Sequence, residues 1–217
     1  MALPRIKICC ISSESEAALA IDAGADAIGL VGKMPSGPGP IADELIYRIA
    51  RSVPPPIATF LLTSEQTPQG IIKHHQRTKT NTIQIVDELH GRDYAPIREA
   101  LPHVKLVRVV HVTGERSVDE AAELAEFVDA ILLDSGNPSL EIKELGGTGR
   151  RHDWSLSRRI VETCGKPVFL AGGLDPDNVR EAIDSVRPYG LDICSGVRTD
   201  GLLDSQKLEK FLSGVHK

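Results

Sequence analysis

Ile131-Leu-Leu-Asp134-Ser-Gly136, a polar run, and then Gly146-Gly-Thr-Gly149-Arg-Arg-His-Asp-Trp154 form the stretch on which the fold turns. Three apolar residues ending on a carboxylate read as a buried strand that stops at Asp134. The loop closes on a glycine-rich turn, and Ser155-Leu-Ser-Arg-Arg-Ile160 opens a helix. Folds that alternate strand and helix keep their chemistry where a strand ends and a loop begins. Glycines just before a helix let backbone N–H groups approach an anion. Asp134 as an acid and Gly146–Gly149 as an anion cradle are therefore the first candidates.

The same unit recurs on both sides of this stretch. Ile6–Ile11, Ala27–Val31, Pro56–Leu62, Thr82–Val86, Lys105–His111, Ala130–Leu133, Pro167–Ala171 and Leu191–Ser195 read as strands, each followed by a helical segment. Ser13–Glu16 and Ser117–Glu120 have the spacing of capping boxes. Asp175-Pro176 reads as the N-cap and first residue of a helix. Asp26, Asp129 and Asp192 stand at a joint that repeats before even-numbered strands, a structural repeat that supports a repetitive architecture. Eight strand–helix units in just over 200 residues predict an α/β chain folded as a single (β/α)8 TIM barrel over residues 1–217. A G-x-G-x-x-G turn after the first strand, the mark of an open doubly wound sheet, is absent.

Composition narrows the class of partner. The 217 residues carry a formal net charge of −5 and are 41% hydrophobic and 4% aromatic. An acidic chain with few rings for stacking is not built for nucleic acid or for an anionic membrane surface. No apolar run has the length of a membrane span, and the N-terminus lacks a signal-peptide core. Cys9, Cys10, Cys164 and Cys194 show no C-x-x-C spacing, which fits a reduced, cytoplasmic compartment. No His-x-x-x-His pair appears, so no metal is expected. His74, His75 and His103 are expected on helix or turn surfaces.

On a barrel the strand ends carry function. In order they present Cys9 or Cys10, the Lys33–Pro40 loop, Gln84, Arg108, Asp134, Gly172-Gly173 and Ser195-Gly196. The glycine pairs after strands seven and eight stand where such barrels hold a phosphate. Arg108 either joins a polar layer of the barrel or reaches an acidic ligand. Cys9 is either a small core residue or a reactive thiol, and Cys10, Cys164 and Cys194 read as structural.

At these residues the chain resembles the phosphoribosylanthranilate isomerase family of tryptophan biosynthesis. Lys7-Ile-Cys-Cys10 stands where the family has Lys-Ile-Cys-Gly, and Gly24-Ala-Asp-Ala-Ile-Gly29 resembles its second strand. Ile131–Asp134, Gly146–Gly149 and Asp153-Trp154 resemble its most specific stretch. Ala171-Gly-Gly-Leu174 and Asp192-Ile-Cys-Ser-Gly-Val197 resemble its phosphate loop and last strand. The resemblance implies a cofactor-free Amadori rearrangement of a phosphorylated sugar by a monomer or homodimer. It assigns Cys9 as base and Asp134 as acid, with Gly147, Gly149, Gly172, Gly173, Ser195 and Gly196 around the substrate and its phosphate. Lys7, Lys33, Gln84 and Arg108 are further candidate substrate contacts.

The departures from the family pattern cluster on the aglycone side. The loop after strand two reads Lys33-Met-Pro-Ser-Gly-Pro-Gly-Pro40, without the arginine the family uses against the anthranilate carboxylate. Val86-Asp87 replaces a His-Gly pair after strand four. Arg108 replaces a lysine, Cys10 a glycine, and Arg198 an acidic residue. Two alternatives follow: an isomerase for a phosphoribosylamine with a different aglycone, and a non-catalytic barrel that binds a phosphorylated metabolite. The related histidine-pathway isomerase carries an aspartate on its first strand, where this chain has Cys9.

Overall fold

The computed structural model describes residues 3–136 and 151–216. Eight parallel strands close on themselves in chain order: β1 Arg5–Ile8, β2 Ala27–Val31, β3 Ala58–Thr63, β4 Thr82–Ile85, β5 Lys105–His111, β6 Ala130–Asp134, β7 Val168–Leu170 and β8 Gly190–Ile193. The ring is sealed between β1 and β8, where Ile8 pairs with Ile193. Helices α1 Glu14–Asp22, α2 Asp43–Ser52, α3 Pro68–Thr78, α4 Ala95–Ala100, α5 Arg116–Ala125, α6 Trp154–Thr163, α7 Val179–Val186 and α8 Ser205–Val215 follow the strands in turn. The TIM barrel expected from the sequence is the observed architecture.

Strands covered on both faces read as continuous apolar runs, and all five residues of β2 and of β6 are buried. Alternation then sorts them. Ile6, Ile8, Ile28, Leu30, Ile131 and Leu133 pack outward against the helices, while Cys9, Ala27, Phe60, Val107, Val109 and Leu132 fill the interior. Phe60 and Phe169 meet edge to face inside the barrel, 5.9 Å between centroids.

Local details differ from the sequence reading in instructive ways. The Ser13 hydroxyl caps α1 by accepting from Glu16 N–H at 3.1 Å. The Glu16 carboxylate turns instead to the Ser12 N–H and to Arg198. Ser117–Glu120 is not a capping box: α5 begins one residue earlier, and the buried Ser117 hydroxyl donates to His111 O at 3.1 Å. Asp175 does cap a turn, accepting from the Asp177 and Asn178 N–H groups, but α7 proper starts at Val179. His74 and His75 are buried rather than on the surface, held by Thr63, Asp43 and the Thr80 carbonyl.

The repeated joint is real at the bottom of the barrel. Asp26, before β2, accepts from Ile6 N–H of β1 at 2.8 Å, and Asp129, before β6, accepts from Leu106 N–H of β5 at 2.8 Å. Its third copy is Asn81, before β4, which accepts from Thr59 N–H of β3 at 2.9 Å. Asp192 does not belong to this set. It lies inside β8 and points into the barrel toward Lys7.

Candidate active site

The site is assembled at the carboxyl ends of the strands. Along β1 the alternation turns Lys7, and Cys9 just beyond the strand, toward the axis. Gly29 of the neighbouring β2 makes room for them. A Cβ there would come within 2.8 Å of the Cys9 Sγ and 3.0 Å of the Lys7 Nζ. Lys7 is fully buried. Its ammonium donates to Asp192 at 2.8 Å and lies 5.2 Å from the Phe60 ring centroid. Burial pulls the Lys7 pKa down, but Asp192, with Cys9 and Cys10 adding to it, more than offsets this and the ammonium stays charged. The pair forms a charged floor beneath the mouth of the barrel.

Asp134, the last residue of β6, is 9% exposed. Burial pushes its carboxyl up to about 6. The Ser135 N–H, donating at 2.7 Å, opposes this shift, Asp192 adds to it, and Lys7 opposes it more weakly. The protonated acid is thus accessible near neutral pH, which is the property a general acid needs.

Cys9, Asp134, Gln84, Asp192, Gly172, Gly173 and Ser195 line one cavity, closed on one side by Met34, Ser36 and Pro38 of the loop after β2. The Gln84 side chain, 3% exposed, has a buried Oε1 with no hydrogen-bond partner among the described residues. Gly172 and Gly173 both adopt positive φ, at 82° and 65°. A Cβ on Gly172 would meet the backbone and side chain of Ser135 at about 3 Å. The N–H groups of Gly172 and Gly173 donate to no carbonyl or side chain among the described residues. A Cβ on Gly196 would fall 2.1 Å from Leu174 O, so only glycine lets the turn after β8 close on the loop after β7. The two backbone segments meet as one cradle suited to an anion.

Other candidates fall elsewhere. Lys33 is exposed and is not among the residues lining this cavity, although its carbonyl accepts from the Ser64 hydroxyl. Arg108 faces outward from β5, away from the axis. Its guanidinium donates to Ile85 O and Val109 O and borders a small pocket with Tyr94, Glu120 and Leu124 under the helices. As a substrate contact it is corrected by strand alternation, because Val107 and Val109 take the inward positions. Gly147 and Gly149 lie outside the described residues. Arg151 stacks 3.4 Å over the Trp154 ring and pairs with Glu181.

Two residues that the sequence reading passed over matter here. Asp192 is the counter-ion of Lys7 and a neighbour of Asp134, and its signal was alternation along a strand that starts two residues earlier. His111, at the end of β5, pairs in register with Asp134 on β6, so both side chains emerge on the same face. It is buried, and neither ring nitrogen has a well-aligned hydrogen-bond partner among the described residues, although the Val86 backbone and the Asp87 carboxylate bear on its charge. Burial, helped by Arg108, lowers its pKa to about 4, so the imidazole is neutral at physiological pH.

A closed eight-stranded barrel with a thiol and a raised carboxyl at its mouth, beside glycine turns after the seventh and eighth strands, puts the chain among the small (β/α)8-barrel enzymes. Residues 6–214 match the family described as N-(5'phosphoribosyl)anthranilate (PRA) isomerase. The chain is 36% identical to N-(5'-phosphoribosyl)anthranilate isomerase of Methanosarcina acetivorans, across 97% of this chain and 92% of that one. The crystal structure of phosphoribosyl anthranilate isomerase from Thermotoga maritima is 30% identical and superposes with a TM-score of 0.82, covering 99% of each chain. A solved phosphoribosyl anthranilate isomerase in complex with reduced 1-(o-carboxyphenylamino)-1-deoxyribulose 5-phosphate is 29% identical, with a TM-score of 0.79 and 99% coverage of both. The chain belongs to the phosphoribosylanthranilate isomerase family.

Proposed function

We propose that this chain isomerises N-(5'-phosphoribosyl)anthranilate to 1-(2-carboxyphenylamino)-1-deoxyribulose 5-phosphate in tryptophan biosynthesis. The observation that carries this reading is one cavity lined by both the Cys9 thiol and the Asp134 carboxyl, beside the glycine turns after β7 and β8. Family membership supports the substrate, and the relative solved with the reduced product analogue supports a phosphorylated sugar ligand.

Asp134 gives its proton to the ring oxygen of the aminoribose. The C1–O bond breaks and the nitrogen lone pair forms an iminium at C1. Cys9 as thiolate takes the proton from C2, and the electrons flow into the iminium to give an enolamine. Its tautomerisation to the C2 ketone completes an isomerisation with no net gain or loss of atoms or electrons. The iminium is the electron sink, so the chemistry needs no cofactor. Gly172, Gly173, Ser195 and Gly196 hold the phosphate through backbone N–H groups, as their cradle geometry supports. Gln84 lines the same cavity as Cys9 and Asp134.

The loop after β2 offers the cavity Met34, Ser36 and Pro38 and no cation. An anthranilate carboxylate held without a bidentate arginine loses about 1.5–3 kcal/mol of binding. Steady-state assays with N-(5'-phosphoribosyl)anthranilate test the reading: turnover is expected, with a KM above that of relatives carrying the arginine. Tight binding of the reduced product analogue with no turnover would instead identify a non-catalytic barrel. Turnover confined to phosphoribosylamines with another aglycone would redirect the substrate assignment.

A further inference from the structure

We propose that Cys10 and Cys194 form a redox-active dithiol at the mouth of the barrel, which peroxide closes to an intramolecular disulfide that lowers turnover. Cys10 lies just beyond β1 and Cys194 just beyond β8, on the two sides of the seam that closes the ring. Their Sγ atoms are 2.8 Å apart. A disulfide needs about 2.05 Å, so the sulfurs close the gap by a shift of less than about 1 Å.

The surroundings hold the two thiols in this position. Cys10 adopts a left-handed backbone conformation, φ 61°. Arg198 locks that conformation by donating to the Cys10 carbonyl at 2.6 Å and the Cys9 carbonyl at 3.1 Å. Arg198 is itself fixed by Glu16, at 2.9 Å. The loop after β2 presses on the other side, where a Cβ on Gly39 would come within 2.7 Å of the Cys10 Cβ. Cys194 lines the cavity and is partly exposed, which gives a small oxidant access.

The hydrogen bond shared by the two thiols lowers the Cys194 pKa and raises that of Cys10. Burial opposes the shift at Cys194, and the Arg198 charge reinforces it. Cys194 is thus the attacking thiolate. It displaces hydroxide from hydrogen peroxide and becomes a sulfenic acid. The Cys10 sulfur then attacks the Cys194 sulfur, its proton leaves with the departing hydroxide as water, and the S–S bond forms. Two thiols lose two electrons, and peroxide is reduced to two waters.

Closing this bond moves the Cys10 sulfur at the residue next to Cys9 and ties it to the residue preceding Ser195-Gly196. A displacement near 1 Å at a reacting group costs on the order of a hundredfold in rate. The effect on turnover rests on the isomerase reading, whereas the cross-link itself does not.

The full chain, treated with hydrogen peroxide, blocked with maleimide and digested, is expected to yield a Cys10–Cys194 linked peptide by mass spectrometry. Isomerase turnover should fall at least tenfold in parallel, and dithiothreitol should restore it. Cys194→Ser should abolish both the linked peptide and the reversible loss. Maleimide on both cysteines after peroxide treatment would overturn the proposal, as would a linked peptide with unchanged turnover. Absence of turnover in the untreated protein would refute the isomerase reading and leave the cross-link to be judged by mass spectrometry alone.

Discussion

The two ends of the barrel treat their polar groups in opposite ways. At the amino-terminal end Asp26, Asn81 and Asp129 each accept a backbone N–H from the preceding strand, and Asp26 and Asp129 also pair with Arg5, Arg98 and Lys105. Every one of these acceptors is used. At the carboxyl-terminal end Gln84 Oε1 and both His111 nitrogens are buried without a well-aligned hydrogen-bond partner among the described residues, and Asp134 is held in a setting that disfavours its charge. A buried polar group left unmatched costs about 1–3 kcal/mol. Such a cost persists at a mouth whose partners arrive with a substrate. The bottom of the barrel is built for stability and the top for binding and proton transfer.

The largest expected effect separates the two ends by rate. Cys9→Ala and Asp134→Asn should each lower kcat by about 10²–10⁴-fold in steady-state assays. If either variant kept wild-type turnover, the mouth would not house the proton chemistry. Lys7→Met comes next. It strands the buried Asp192 carboxylate, and chemical denaturation should show a loss of about 3–5 kcal/mol.

Asp134 sharpens the contrast because its two roles have opposite signs. Its folded pKa of about 6 lies above the ordinary 3.8 of a free aspartate. The folded chain therefore holds the proton more tightly than the unfolded one. Stability should fall as pH rises through the window between those values and stay lower above it. A gap of this size corresponds to roughly 2–3 kcal/mol. Asp134→Asn should thus be more stable than the wild type at pH 7 while nearly inactive, and thermal melts at pH 4 and pH 7 should show the gap only at the higher pH.

Asp129→Ala, at the bottom, should cost about 1–3 kcal/mol in denaturation midpoints and leave kcat unchanged. The smallest effect is expected for Arg108→Gln, which should leave KM unchanged, since the guanidinium faces the helical layer. A rise in KM would return Arg108 to the site.

Much of this was legible in the residue order. Eight apolar runs, each followed by a helical segment, predicted the closed barrel, because strands buried on both faces have no polar alternation to confuse the period. Asp134, Gln84, Gly172-Gly173 and Ser195-Gly196 were recognisable because they follow apolar runs and occupy strand ends. Cys9 owed its role to the family resemblance, since a lone thiol at a strand end reads equally well as core. The inward or outward sense of β5 was not legible. Its bounds are read correctly as Lys105–His111, but a strand buried on both faces has no polar alternation to say which residues face the axis, so Arg108 reads as a contact at the mouth. Asp192 reads as part of a turn because the apolar pattern starts β8 at Leu191, whereas the strand begins at Gly190.

The linear sequence by itself determined the period of the chain, the class of fold and the chemical types available at the strand ends, because these depend on local propensity and burial pattern. Closure of the ring decided the rest. Only when β1 met β8 did Lys7 find Asp192 and Cys10 find Cys194, partners 185 and 184 residues apart in the chain. No local pattern encodes such a distance: the pairing follows from the register of two strands brought together by the whole barrel.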